Sequence, residues 1–206
     1  MHDEVTVPER RNRLPEERFT STQRDARARV SSIRKNREIP ALKAIEELTS
    51  CIRALKDDRS RYALAEAYAV RGTAFARGME DHKSSFRDWR RSLGIIAGEN
   101  EPSTRFFNLA GYVRVQMAFH SEGSSRMRFF NLAMNEYRAA DNPRAFASVL
   151  VHRGLEWKER GEYRRALKDL EEGLAIARWK RMEGRRQLLG FIDDVRTSAG
   201  NRGHRS

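Results

Sequence analysis

Five histidines, one cysteine and three tryptophans are the side chains of this sequence best suited to chemistry. The histidines are His2, His82, His120, His152 and His204. They are isolated, and the chain has no HExxH pattern and no carboxylate pair at metal-ligand spacing. His152, beside an arginine on a predicted helix, is expected to be a surface or groove residue. The sequence therefore predicts no catalytic residue and no metal site.

The single cysteine, Cys51, excludes an internal disulfide and a cysteine-based zinc site. It lies in TSCIRAL, on the apolar side of a predicted helix, where a buried thiol is the ordinary case and a nucleophile the exception. The chain also lacks a Walker-type GxxxxGK[ST] motif and a GxGxxG motif after a strand. We expect no cofactor and no enzymatic activity.

The 206 residues carry a formal net charge of +12, which raises the question of nucleic-acid binding. The excess is spread along the chain, and nearly half of the arginines have an acidic residue three or four positions away, which predicts ion-paired helix faces. A denser group surrounds Trp179 and forms a candidate patch for nucleic acid or an acidic partner. Its cations are Arg178, Lys180, Arg181, Arg185 and Arg186. Trp179 itself is expected to cover a junction between helices.

No apolar run approaches the roughly 20 residues that span a bilayer, and the charged first 20 residues hold no apolar signal segment. The sequence predicts a cytoplasmic protein with no membrane contact. Residues 1–20 and 199–206 are expected to be disordered tails.

A helical hairpin is predicted between residues 144 and 180. Phe146, Leu150, Gly154 and Trp157 follow one another at intervals of 4, 4 and 3, which places them on one helical face. Gly161 interrupts this pattern where a left-handed C-cap is needed. A second apolar stripe follows at Ala166, Leu170, Gly173 and Leu174. Two amphipathic helices joined by a short turn form an antiparallel pair.

The same pattern recurs along the chain with a period of about 41 residues. The positions equivalent to Ala166 are Ala41, Ser85 and Arg126, at intervals of 44, 41 and 40. The chain therefore predicts four hairpins, at about 22–57, 61–98, 103–140 and 144–180, and a capping helix at 182–197 with Leu188, Ile192 and Val195 on one face. The two RFFNLA segments belong to facing helices of the third hairpin, with Phe106 and Phe130 in the core. Phe107 and Phe129 are expected to pack against adjacent hairpins.

The segment from Arg153 to Leu174, RG-x-x-W-x-x-x-GEY-x-x-AL-x-x-L-x-x-GL, resembles the tetratricopeptide repeat, in a form with helices longer than its usual 34 residues allow. The resemblance implies an all-α, right-handed superhelical stack whose first helices line a concave groove that binds a peptide or helix. Members that clamp a C-terminal carboxylate use Lys, Asn and Arg at fixed positions. The matching residues here are Ala69, Thr73, Val151 and Leu155, so that ligand is not expected.

The register of the first helices predicts which side chains face the groove. They are Thr73, Arg77, Asn108, Tyr112, Val115, Phe119, Val151, Leu155, Lys158 and Glu159. The leading hypothesis is a non-catalytic protein–protein interaction adaptor or scaffold that binds an acidic segment of a partner protein. One alternative is a nucleic-acid-associated accessory protein that uses the cluster at residues 178–186. A second alternative is a domain that senses a small regulatory peptide.

Overall fold

The computed structural model describes residues 20–36, 38–56 and 61–203, and all regular structure in these ranges is helical. The helices are α1 (Ser21–Lys35), α2 (Ala41–Leu55), α3 (Arg61–Met79), α4 (His82–Ala97), α5 (Thr104–Phe119), α6 (Gly123–Ala139), α7 (Pro143–Glu159), α8 (Tyr163–Trp179) and α9 (Arg185–Gly203). None of them is long and apolar enough to cross a bilayer.

The helices form an all-α stack of hairpins. Helices α1 and α2, α3 and α4, α5 and α6, and α7 and α8 pack in pairs, and each pair packs against the next. First helices also contact one another directly, α1 with α3 and α3 with α5. The arrangement is the solenoid-like repeat fold that the sequence predicts. Residues 1–19 and the expected break at 57–60 lie outside the described residues.

The last helix covers the open end of the stack. Leu188, Ile192 and Val195 of α9 are buried together with Leu170 and Leu174 of α8. The capping face is therefore as predicted. The helix itself extends to residue 203, past the boundary expected at 197 and into residues expected to be a tail.

The turns follow local chemistry in most places. Asn142 caps α7 by accepting a hydrogen bond from the backbone N–H of Ala145 at 3.1 Å, with Pro143 in the first turn. Gly161 has φ of +74°, the left-handed conformation predicted for it. Gly78 does not end its helix, because α3 continues to Met79 and the left-handed residue is Glu80, with φ of +52°.

Gly78 has a packing role instead. A Cβ atom at Gly78 would stand 2.0 Å from the Cβ of Ala41, the first residue of α2. This helix end can approach α2 only because position 78 has no side chain.

Most of the predicted core positions are buried. In the second hairpin Trp89 is fully buried, and in the third hairpin Phe106 and Phe130 are 6% and 2% exposed. Trp157 was also expected in the core, but it is only half-buried and lies beneath the guanidinium of Arg165, 4.8 Å from the ring centroid. The indole of Trp157 lies near the edge of the contact between α7 and α8. Cationic side chains cover the part of the ring that the helices leave exposed.

The third hairpin differs from its neighbours, as its irregular sequence indicated. Phe129 lies between the second and third hairpins, with its ring centroid 6.5 Å from that of Phe86 in α4, as predicted, and Phe107 is half-buried. Two arginines occupy positions where the other hairpins have small residues. Arg114 pairs with Glu136 at 3.1 Å, and Arg126 pairs with Glu156 of α7 at 2.8 Å. These large side chains are accommodated because each one pairs with a carboxylate of a neighbouring helix.

The second and fourth hairpins contain the same ion pair. Arg71 in α3 donates to both carboxylate oxygens of Asp88 in α4, at 2.6 and 3.0 Å, and also to the hydroxyl of Thr49 in α2 at 3.0 Å. In the fourth hairpin Arg153 binds Asp169 at 2.7 Å through both oxygens. A third bond from Arg153, at 2.6 Å, reaches the side-chain oxygen of Asn131 in α6. Each arginine therefore joins three successive helices.

Ion pairing within single helices is less common than the sequence suggested. Among the described residues, pairs three or four positions apart are limited to Arg160 with Glu156, Arg165 with Glu162 and Arg196 with Asp193. The other ion pairs join different elements of the chain. This matters for the surface, because a carboxylate that pairs inward cannot neutralise an arginine on the outer face of its own helix.

Candidate functional site

A groove of about 760 Å³ lies between the first helices of the first three hairpins. Its walls come from the C-terminal end of α1, from α3 and from α5, and one residue comes from α2. The lining residues are Ile33, Arg34, Ala44, Tyr62, Val70, Thr73, Ala74, Ala76, Arg77, Asn108, Leu109, Tyr112, Gln116, Phe119 and His120. The groove exists because α1, α3 and α5 turn corresponding faces to the same side of the stack.

The floor of the groove is built from small side chains. Ala44, Ala74 and Ala76 are buried, and they leave room for atoms of a ligand to approach the helix backbones. Val70 and Leu109 add larger apolar surface. A floor of this kind suits an apolar side chain of a bound segment better than a hydrated ion.

Hydrogen-bonding side chains stand above this floor. The hydroxyls of Thr73 and Tyr112 are 2.9 Å apart, which joins α3 to α5 across the groove. The side-chain amide of Asn142 donates to the side-chain oxygen of Asn108 at 2.6 Å, which fixes Asn108 against the start of α7. Gln116 also lines the groove, and its side chain makes no hydrogen bond to another described residue. These groups could orient the backbone of a bound peptide.

The charges that line the groove are all positive. None of its lining residues is acidic, whereas Arg34 and Arg77 both face it. Arg34 binds Glu66 at 2.5 Å, and burial raises the pKa of Glu66 against the opposing effect of this arginine. Arg77 donates only to the backbone carbonyl of Ile39, at 3.3 Å, and pairs with no carboxylate among the described residues. The groove therefore favours an anionic ligand.

Half of the groove residues predicted from the register line this one cavity. They are Thr73, Arg77, Asn108, Tyr112 and Phe119. Phe119 is 44% exposed, an unusual value for a phenylalanine, and its ring meets the ring of His152 edge-on at 4.9 Å. Val115 is half-buried against the core between the third and fourth hairpins and does not line the cavity.

The residues predicted on the fourth hairpin lie elsewhere. Val151 packs against the core shared by α8 and α9, with Gly173 of α8 beside it, and Leu155 is half-buried. Lys158 pairs with Asp194 of α9, and Glu159 is exposed at the end of α7. The capping helix explains the difference, because α9 packs against the side of α7 that the register assigned to the groove.

Several lining residues were not singled out from the sequence. Arg34 and Tyr62 belong to the end of α1 and the start of α3, and Gln116 and His120 complete the α5 wall. Gln116 lies four residues after Tyr112, so the helical period could have found it. Arg34 could not be found in this way, because its approach depends on how α1 packs against α3.

The cationic cluster around Trp179 is exposed. Trp179 is 70% exposed, so the expectation that it covers a helix junction is wrong. One face of its indole carries the ammonium of Lys180, 3.6 Å from the ring centroid. Arg178, Arg181, Arg185 and Arg186 are exposed around it at the end of α8, in the connection and at the start of α9. The short turn after α8 leaves this ring outside the core.

Histidine and cysteine are the side chains of the described ranges best suited to chemistry. No three metal-binding side chains come together in the part of the chain that the structure describes. Cys51 is buried, and burial raises the pKa of its thiol. His82 and His120 have ring centroids 5.2 Å apart, and the pKa of His120 is lowered by burial and by His82.

No family model matches this chain, and no curated protein matches it. Among solved structures, the chain is similar to BtubC (BKLC) from P. vanneervenii, with a TM-score of 0.55 and 15% sequence identity. The match covers 88% of this chain and 85% of that one. At this identity the likeness concerns the fold alone.

Proposed function

We propose that this chain is a non-catalytic adaptor whose groove binds an acidic segment of another protein. The proposal rests on one observation: a groove of about 760 Å³ with a small-residue floor, two arginines and no acidic lining residue. The apolar floor and the cationic rim of the groove together fit a peptide in which apolar and acidic side chains alternate.

Membership of the tetratricopeptide repeat family belongs to the same proposal. It is supported by the repeat motif at Arg153 to Leu174 and by a stack of hairpins with a period of about 41 residues. A cytoplasmic location is proposed with it, since a partner-binding adaptor needs no further chemistry of its own. The hypothesis of a peptide-sensing regulatory domain shares this groove and differs only in the source of the peptide.

The groove proposal is tested by peptide selection followed by binding measurements. A peptide library displayed on phage is selected against the full chain, and the dissociation constants of selected peptides are measured by fluorescence anisotropy. We expect selected peptides to be acidic. The double variant Tyr112→Ala and Phe119→Ala should weaken their binding by about 30-fold or more, because truncation of a single aromatic hot-spot residue costs about 2 kcal/mol.

A matched control removes exposed apolar side chains outside the groove. Leu42 and Leu189 are 61% and 41% exposed and do not line the groove, so Leu42→Ala with Leu189→Ala should leave the dissociation constants unchanged. Equal weakening by both double variants, or selection of basic peptides, would contradict the proposal.

The second candidate function is nucleic-acid association through the cluster at residues 178–186. The 70% exposure of Trp179 among cations favours it, because an exposed ring can stack on a base. Its test is the affinity for a single-stranded oligonucleotide, which Arg185→Glu with Arg186→Glu should abolish. Unchanged affinity in this variant would exclude the cluster as the binding surface.

A further inference from the structure

The outer faces of α4 and α6 carry six exposed cations. They are Lys83, Arg87, Arg90 and Arg91 in α4 and Arg128 and Arg138 in α6. None of them forms an ion pair with a described residue, and Lys83, Arg90 and Arg128 make no hydrogen bond or ring contact within the described chain. We refer to these six side chains as the α4–α6 cationic face.

The cause of this excess is the direction of ion pairing in the fold. Helix α4 contains one acidic residue, Asp88, and α6 contains one, Glu136. Asp88 is fully buried in its pair with Arg71 of α3, and Glu136 is bound by Arg114 of α5. Both acidic side chains are therefore turned toward the first helices. The cations on the opposite side of α4 and α6 therefore have no carboxylate of their own helix to pair with. The nearest carboxylate at the start of α4 is that of the N-cap residue Asp81, whose pKa is lowered mainly by its hydrogen bonds to Ser84, with smaller contributions from Arg87 and Lys83.

Helical spacing places the cations of each helix on one face. Lys83, Arg87 and Arg90 follow at intervals of 4 and 3, opposite the buried residues Ser85, Trp89 and Ser92. On α6 the exposed stripe contains Arg128, Asn131, Asn135 and Arg138, at intervals of 3, 4 and 3.

The two faces adjoin, because Phe86 of α4 contacts Phe129 of α6. Helix α8 does not continue the cationic face, because it contains Glu171 and Glu172 as well as Arg164, Arg165 and Lys168. Carboxylates precede both helices and mark the N-terminal edge of the face, namely Glu80 and Asp81 before α4 and Glu122 before α6. The α4–α6 cationic face is thus formed by two neighbouring helices and is separate from the cluster around Trp179.

No large apolar side chain is exposed on this face, and this distinguishes among the classes of partner that it could bind. The large apolar residues exposed in the described chain are Leu42, Met79, Phe119, Trp179 and Leu189, and none belongs to α4 or α6. A protein interface normally contains aromatic or aliphatic anchors at its centre, and a membrane-bound helix inserts such side chains. Single-stranded nucleic acid is held largely by bases stacked on aromatic rings. A duplex backbone requires none of these.

We propose that the α4–α6 cationic face binds the phosphate backbone of a double-stranded nucleic acid without reading its sequence. Five of the six cations are arginines, whose planar guanidinium groups donate two parallel hydrogen bonds to a phosphate. Arg128 and Arg138 are about 15 Å apart along α6, at 1.5 Å per residue, a span that covers several phosphates of a duplex. The site is separate from the peptide groove, so the two ligands could bind at the same time.

The experiment measures how salt weakens the binding of a duplex of about 20 base pairs to the full chain. If four of the six cations reach phosphates, the slope of log K against log salt is about −3.6, and the affinity falls roughly 150-fold between about 50 and 200 mM salt. The variant Arg90→Gln with Arg128→Gln removes two of the four contacts. We expect its slope to be about −1.8, with a loss of roughly 12-fold over the same range.

The matched control is Arg185→Gln with Arg186→Gln, which changes the net charge equally at the cluster around Trp179. Its slope should equal that of the unmodified chain. Both variants replace exposed side chains, and thermal unfolding should confirm that they remain folded.

The proposal is overturned if the duplex does not bind at about 50 mM salt or if the control lowers the slope as much as the test variant. It is also overturned if a single strand binds the control variant, which lacks Arg185 and Arg186, more tightly than the duplex does, or if phosphatidylserine vesicles bind and the duplex does not. Equal slopes for RNA and DNA duplexes would support recognition of the backbone alone.

Discussion

The second and fourth hairpins contain the same arginine–aspartate ion pair, and the pair is more deeply buried in the second hairpin than in the fourth. Each places an arginine and a glycine side by side in the first helix, and in each the arginine binds an aspartate of the second helix through both oxygens. In the second hairpin the side chains of Arg71 and Asp88 are 11% and 0% exposed, whereas those of Arg153 and Asp169 are 20% and 5% exposed. The two hairpins therefore share the geometry of this ion pair, whereas its contribution to stability depends on its access to water.

The largest difference between the two hairpins should follow from removal of the aspartates. Asp88→Ala leaves the buried guanidinium of Arg71 without its carboxylate, and we expect a loss of about 3–5 kcal/mol in the free energy of unfolding. Asp169→Ala should cost less, about 1–3 kcal/mol, because Arg153 can turn toward water. Urea unfolding monitored by circular dichroism measures both values.

A double replacement separates the penalty of an unpaired charge from the contribution of the pair. Arg71→Met with Asp88→Leu removes both charges and should destabilise the protein less than Asp88→Ala alone. Equal losses for Asp88→Ala and Asp169→Ala would show that burial does not distinguish the two pairs.

Alanine substitution of the glycines beside these arginines should give a smaller difference in stability between the two hairpins. A Cβ at Gly72 would stand 2.7 Å from the Cδ1 and Nε1 atoms of Trp89, a rigid and fully buried ring. A Cβ at Gly154 would stand 2.9 Å from Cγ of Leu170, a side chain with more freedom to adjust. We expect Gly72→Ala to lower the free energy of unfolding by about 1–3 kcal/mol, and Gly154→Ala to lower it less.

Gly94 provides the control for helix propensity, because a Cβ there meets nothing within 4 Å. Gly94→Ala should stabilise the protein by about 0.5–1 kcal/mol, since alanine loses less backbone entropy in a helix. A stabilising Gly72→Ala would mean that Trp89 can move, and the close-packing explanation for this glycine would then fail.

The sequence predicted the stack of hairpins because burial of apolar stripes at helical spacing depends on local pattern. The position of Gly154 on the apolar face and the turn at Gly161 both follow from such patterns. The partners of Arg71 and Arg153 did not, because the acidic residue that each one binds lies 16 or 17 positions away on another helix. The local charge pattern favoured pairs three or four positions apart and therefore hid the cationic face of α4 and α6.

The candidate groove was predictable where one helix determines it and not where several helices meet. Thr73 and Tyr112 follow from the register of α3 and α5. Lys158 was misplaced because α9 covers α7 and supplies Asp194 to it, a tertiary contact without a local signal. Trp179 was misplaced for the opposite reason, since no element covers it.

The smallest expected difference between the hairpins concerns pH. His152 precedes Arg153, and the equivalent residue 82 positions earlier, before Arg71, is the buried Val70. The imidazole of His152 packs on the rings of Phe119 and Phe130, at centroid distances of 4.9 and 6.5 Å. Burial lowers the pKa of His152, because the apolar surroundings disfavour the charged form.

A histidine whose pKa is lower in the folded state destabilises the fold as pH falls. Below about pH 6.5 the unfolded chain takes up a proton that the folded chain resists, so the free energy of unfolding declines until the folded pKa is reached. His152→Val should flatten this decline between about pH 7.5 and 5.5, a window above the lowered pKa values of Glu47, Asp81 and Glu156. His120, with its own lowered pKa, retains a part of the slope in the variant. Urea unfolding at the two ends of the window measures the difference, and equal declines in both proteins would show that hairpin four is no more sensitive to pH at this position than hairpin two.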